Sequence, residues 1–263
     1  MRLWIKRAVF WAVPEPALRW LKKRSYVRRL RRGGGFENEM RWLPGVVSPG
    51  DTVLDIGANA GFYTVRLARL VGSPGAVHAF EPIPETFDIL RHVVAALGLA
   101  NVVLYPAAVA DREGELTMEV PREGRQVENY YLAHLTLAPA GGQRTVRVRT
   151  RTLDALRAGG LPRVSFVKCD VEGAELLVLR GGAGLLRADL PVVLCEVSDE
   201  LATRLGHTSD DVFAFLHDLG FDAWHPAGDR LERTERTVPG VVNYFFIPRG
   251  RPLPAPQWGS PNT

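Results

Sequence analysis

Short apolar runs alternate with amphipathic stretches along most of this chain. Residues 53–56, 76–80, 101–105, 164–169 and 192–197 are each too short for a helix. They have the near-continuous apolar character of strands buried on both faces. Between them, 61–71, 84–97, 174–186 and 208–219 carry apolar residues at helical spacing, with Gly72 and Gly98 as stops. Strand alternating with helix predicts a doubly wound α/β domain. Two later apolar runs, 221–224 and 241–247, are joined by a polar connection containing Gly228 and Gly240.

The alternation lapses over 114–153. Residues 115–120 and 145–152 have period two, with Arg147, Arg149 and Arg151 on one face, and read as strands of an inserted antiparallel segment. Between them, 121–144 is a long polar loop holding Asn129, Tyr130, Tyr131 and His134. A loop of that length is functional or disordered. It is read as a substrate-facing lid, with Tyr130, Tyr131 and His134 as candidate substrate contacts.

The first apolar run leads into a glycine turn. Gly57 and Gly61 flank Asn59, and helical spacing begins at Phe62. Such a turn lets a ligand approach the backbone closely. Glu81 stands twenty residues beyond Gly61, at the tip of the second run. An acid so placed hydrogen-bonds ribose hydroxyls in doubly wound nucleotide folds. Gly57-x-Asn59-x-Gly61 is not the dinucleotide pattern, and Asp55 would repel a pyrophosphate. These residues suit a ligand with a ribose, an ammonium and no phosphate: the sulfonium cofactor S-adenosylmethionine.

Asp55-x-Gly57-x-Asn59-x-Gly61 followed by Glu81-Pro82 resembles the cofactor motifs of class I S-adenosylmethionine-dependent methyltransferases. The later run 166–175, Phe-Val-Lys-Cys-Asp-Val-Glu-Gly-Ala-Glu, resembles the hallmark of the FkbM family, mostly described as O-methyltransferases. The resemblance covers roughly residues 36–248. It implies a Rossmann-like, mostly parallel sheet with an antiparallel terminal strand, and an antiparallel insertion before strand four. It assigns Gly57, Asn59, Gly61 and Glu81 to the cofactor, with Asp55 orienting the loop or the methionine ammonium. It also sets the small residues around Ala108 near the adenine.

The N-terminus differs from the rest. Residues 1–32 hold 11 Lys/Arg and one acid, a charge of +10, so the remainder of this +4 chain carries −6. The basic balance therefore gives no reason to expect nucleic acid as partner. Trp4, Trp11 and Trp20 lie in short apolar runs broken by Pro14 and Pro16, with no apolar span of the roughly 18 residues a crossing needs. A signal peptide is not indicated. The segment reads either as a peripheral membrane anchor or as helices packing on the domain or a partner subunit. The expected organisation is 1–35 basic segment, 36–248 methyltransferase domain and 249–263 Pro/Gly-rich tail. Cys169 and Cys195, both in apolar runs, read as reduced core residues. A cytoplasmic protein, peripheral to the inner face of the membrane if the anchor holds, is expected.

Asp55, Glu81, Asp170 and Glu196 all fall at or near carboxyl ends of expected strands, where ligands sit in such sheets. Asp170 is the candidate base for an acceptor hydroxyl, with Glu172 and Glu196 completing a carboxylate group. His134 is an alternative base, and Lys168 is a partner for a carboxylate. Such a cluster would admit Mg²⁺, but there is no dedicated metal pattern, and a metal is not favoured. The reading is methyl transfer to a hydroxyl of a small molecule, sugar or lipid-linked glycan. One alternative is a non-catalytic scaffold that binds cofactor or membrane. A nucleic-acid methyltransferase is the other, but the Asn/Asp-Pro-Pro-Tyr/Phe motif of amino-methylating enzymes is missing after strand four.

Overall fold

The computed structural model describes residues 15–123, 127–128, 133–136 and 143–257. The strands are β1 (Thr52–Ile56), β2 (Ala76–Phe80), β3 (Val102–Tyr105), β4 (Ala108–Val109), β5 (Gly114–Val120), β6 (Arg122–Glu123), β7 (Val127–Glu128), β8 (His134–Leu135), β9 (Arg144–Arg151), β10 (Val164–Cys169), β11 (Val192–Glu196), β12 (Phe221–Ala227), β13 (Arg230–Thr234) and β14 (Asn243–Pro248). The helices are α1 (Glu15–Arg31), α2 (Phe62–Val71), α3 (Pro84–Leu97), α4 (Leu153–Ala158), α5 (Glu175–Arg180), α6 (Ala183–Asp189), α7 (Asp199–Ala202) and α8 (Ser209–Asp218).

Eight strands form the main sheet in the order β13-β12-β14-β11-β10-β1-β2-β3. β3, β2, β1, β10 and β11 are parallel. β14, last in sequence, enters antiparallel between β11 and β12. Both faces are buried at β1, β10 and β11, as their apolar runs required, whereas β3 lies at the sheet edge with Val103 exposed. Leu54 and Ile56 join one core cluster with Val167, Val193 and α8 residues, while Val53 and Phe166 join another with Trp42, Leu43 and Leu67. The parallel strands therefore all present their carboxyl ends on the same edge.

The insertion is larger than two strands. β4, β9, β5 and β8 make a second sheet, in which β9 pairs antiparallel with β5 but parallel with β4. The expected helix over 174–186 is two helices, broken at Gly181–Gly182. A Cβ at Gly181 would lie 2.0 Å from the Ala110 carbonyl oxygen, so the chain must turn there to pass the β4 loop. Before β1, Asn38–Gly45 form a 3-10 helix whose Trp42 and Leu43 are buried. The polar connection after β12 contains β13, an edge strand in which only Leu231 is buried.

Helix α1 lies against α3, with Val27 and Leu30 packed on Ile89 and Val93. Residues 251–257 form neither helix nor strand, and the Gln257 N–H donates to the Arg41 carbonyl at 2.9 Å. No helix among the described residues is long and apolar enough to cross a membrane. Cys169 and Cys195 are buried free thiols in register on adjacent strands.

Candidate active site

A cavity of about 140 Å³, partly open to solvent, sits at the carboxyl ends of β1, β2, β10 and β11. The loop after β1 contributes Gly57 and Asn59, and the tip of β2 contributes Glu81. The turn after β10 contributes Asp170 and Glu172, and the end of β11 contributes Glu196. Ala107, Ala108 and Val109 supply an apolar wall, extended by Leu116 and Met118 of β5 and by Ala133 and Leu135.

Gly57 is required where it stands. Its φ is +82°, and a Cβ would lie 1.7 Å from the Asp170 carbonyl oxygen, on the neighbouring strand end. Gly57 and Ala58 donate backbone N–H groups to Phe80 O at 3.0 and 2.9 Å, which ties the loop to β2. Asn59 also has positive φ, 49°. Its Oδ1 is buried with no hydrogen-bond partner among the described residues. Glu81 accepts from Asn59 N–H and Ile83 N–H, both at 2.9 Å, one on each carboxylate oxygen. Burial raises the Glu81 pKa to about 7 despite these donors.

Two residues of the cofactor motif stand behind the wall rather than in it. Asp55 is 1% exposed and accepts from the Thr64 hydroxyl, which fixes the start of α2 to the end of β1. Burial raises its pKa to about 6. Gly61 is the residue before α2, with φ +90°, and a Cβ there would meet Leu90 at 2.9 Å.

The carboxylates after β10 and β11 share one cation. Lys168 is 1% exposed, and its Nζ lies 3.2 Å from Asp170 Oδ2 and 5.0 Å from the centre of the Tyr63 ring. Burial opposes its charge, but the carboxylates of Asp170 and Glu196 outweigh burial and hold the ammonium's pKa above its usual value. Burial also opposes charge on Asp170. Lys168 and a hydrogen bond from Glu196 prevail, and the Asp170 pKa falls below the usual carboxylate range. Glu196 is pushed the other way, to about 9, by burial and then by the neighbouring Asp170 charge. The pair thus divides its roles: Asp170 ionised, Glu196 carrying the proton between them.

Glu172 has φ +55°, a conformation that costs a non-glycine residue on the order of 1–3 kcal/mol. Burial, followed by the charges of Asp170 and Glu175, raises its pKa to about 7. Glu175 Oε1 accepts from Val171 N–H at 3.0 Å and Gly173 N–H at 3.2 Å, so this residue closes the turn that presents Asp170 and Glu172. Asp111 is exposed and lies in a turn.

His134 lies on β8 opposite Glu119, between the cavity-lining Ala133 and Leu135, and is not part of the wall itself. Tyr130 and Tyr131 lie outside the described residues. Among the described residues, no group of three or more His, Cys, Asp or Glu is arranged to hold a metal ion. Tyr63, whose hydroxyl donates to Glu37 Oε2 at 2.9 Å, was hidden in the helical pattern after Gly61. Leu116 and Met118 were visible as one face of the period-two run, but a surface against the cavity needs the tertiary fold to be seen.

The family model described as "Methyltransferase FkbM domain" matches residues 55–223. The chain is 31% identical over 199 residues to the 31-O-demethyl-FK506 methyltransferase FkbM of Streptomyces tacrolimicus, covering 66% of this chain and 73% of that one. It is 27% identical over 162 residues to the hexuronic acid methyltransferase AglP of Haloferax volcanii, covering 61% and 62%. The crystal structure of a methyltransferase FkbM from Methylobacillus flagellatus aligns with TM-score 0.45 at 14% identity, over 86% of this chain and 58% of that chain. The donor set fits the cofactor of such enzymes. Asn59 has an orphaned amide oxygen, Glu81 a two-oxygen acceptor and Ala108 a place in an apolar wall, chemistry that suits an amine, ribose hydroxyls and a flat base, respectively.

Proposed function

Since the chain belongs to the FkbM methyltransferase family and is an S-adenosylmethionine-dependent methyltransferase, we propose that it methylates a hydroxyl oxygen of a small molecule, sugar or lipid-linked glycan, with Asp170 as the base. When bound, S-adenosylmethionine supplies an activated methyl group on its sulfonium. Gly57, Asn59, Glu81 and Ala108 hold it, while Asp55 and Gly61 shape the loop from behind.

The observation that carries this reading is the ionised Asp170 carboxylate on the cavity wall, beside Lys168. An acceptor oxygen that gained the methyl group would become far more acidic. A carboxylate of low basicity is then sufficient to take the hydroxyl proton, a contribution worth about 10²–10⁴ in rate. Glu196, already protonated, fixes Asp170 by a hydrogen bond. Glu172 faces the same cavity and contacts the acceptor side. Alignment of oxygen with methyl is the larger part of the rate gain, up to about 7–11 kcal/mol in ideal cases.

The names of the two relatives point to two acceptor classes, 31-O-demethyl-FK506 and a hexuronic acid. The test is transfer of labelled methyl to a panel of both classes. An alkali-stable methyl ether on a hydroxyl is expected. An alkali-labile ester, or label found only on nucleic acid, would contradict the reading.

A further inference from the structure

Helix α1 packs on the domain along one face. Val27 and Leu30 are buried on α3, Lys23 pairs with Asp88, and Arg31 donates to the Ala96 carbonyl at 3.2 Å. Lys23 to Arg31 and Asp88 to Ala96 are equal steps along two helices, so α1 and α3 run parallel and in register. α3 starts just beyond Glu81, at the ligand end of the sheet. The N-terminal turns of α1 therefore stand at that same end.

The outer stripe of α1 has a composition of its own. Arg24 and Arg28 follow Trp20 at four-residue spacing, and Leu21 and Arg32 flank the same stripe. All five are exposed, Trp20 at 52% and Leu21 at 51%. The Arg24 guanidinium covers the Trp20 ring at 4.6 Å. The apolar face of α1 is used on the domain, so what it offers a headgroup layer is this one exposed Trp20–Leu21 pair beside arginines. Ring and aliphatic carbons bury in such a layer while guanidinium groups pair with phosphates.

We propose that this stripe docks the protein on an anionic lipid bilayer. The charge split gives the contact its direction. An anionic surface repels the −6 body and attracts the +10 segment, so the protein meets the surface through α1. Docking through α1 brings the ligand end of the sheet close to the headgroups. Leu21, which has nothing to pair with on a phosphate backbone, favours a bilayer over nucleic acid.

The experiment is flotation of the full chain with vesicles of phosphatidylcholine alone and of phosphatidylcholine mixed with phosphatidylglycerol. Binding to the mixed vesicles only, weakened by salt, is expected. Arg24→Ser with Arg28→Ser should weaken it on the order of 25-fold, roughly five-fold per charge. Trp20→Ser with Leu21→Ser should weaken it at least about ten-fold with all charges retained, a loss that charge alone does not produce. Both variants should keep the parent's melting temperature and S-adenosylmethionine affinity, which separates this proposal from the reading of the cavity. No binding to the mixed vesicles, equal binding by parent and both variants, or RNA capture in place of vesicle binding would each overturn it.

Discussion

Lys168 Nζ stands 3.2 Å from Asp170 Oδ2, and the lysine side chain is only 2% exposed. A buried ammonium at this position keeps Asp170 ionised. Lys168→Met removes the charge and leaves two carboxyl groups to share a proton. The Asp170 pKa should rise, and the acid limb of the kcat/KM profile should move up by about one pH unit or more, roughly ten-fold in rate per unit below the limb. S-adenosylmethionine affinity should change only a few-fold. An unmoved acid limb would show that Lys168 has no hold on the base.

Glu81→Gln tests the cofactor end. The carboxylate uses one oxygen for Asn59 N–H and the other for Ile83 N–H. An amide offers one acceptor, so one buried N–H would face an amide nitrogen. The expected cost is about 1–3 kcal/mol of stability. S-adenosylmethionine affinity should fall at least about ten-fold, as read by calorimetric titration. A variant that binds cofactor like the parent would remove Glu81 from the contact.

Stability should fall as pH rises. Asp55 is raised to about 6, Glu81, Glu172 and Glu175 to about 7, and Glu196 to about 9. Each binds its proton more tightly in the folded than in the unfolded chain. Their contribution is therefore full below the ordinary carboxylate range and is lost as pH climbs through the folded values. The melting temperature of the cofactor-free protein should decline from mildly acidic pH to about pH 9. Glu175→Gln isolates one group: its oxygen can still accept from Val171 and Gly173, but it no longer titrates. It should flatten the decline and stabilise the protein at pH 8 by on the order of 2–3 kcal/mol. A melting temperature that rises between pH 6 and pH 8, or a variant slope equal to the parent's, would contradict this.

Much of this fold is legible locally. Residues 53–56 could only be a buried strand, and the glycine turn with Glu81 beyond it announces a ligand at the strand ends. The acids at 55, 81, 170 and 196 were visible because strand ends are marked by where apolar runs stop. What stayed hidden depends on partners distant in sequence. β13 is polar because it is an edge strand, and it exists because β12 pairs with it. The break at Gly181 comes from the approach of Ala110, 71 positions earlier. The Tyr63–Glu37 bond joins the helix after the glycine turn to the segment before β1, which no periodicity connects. His134 shows the limit from another side. Residue type nominated it, but strand alternation gives the cavity to Ala133 and Leu135.

The most direct test of the account is Asp170→Asn, measured for cofactor binding by calorimetry and for methyl transfer at saturating S-adenosylmethionine. The amide keeps the shape of the turn but cannot take a proton. The account predicts a dissociation constant within a few-fold of the parent's and turnover lower by about 10²–10⁴. Cofactor binding that collapses with the substitution, or turnover that survives it, would contradict Asp170 as the base.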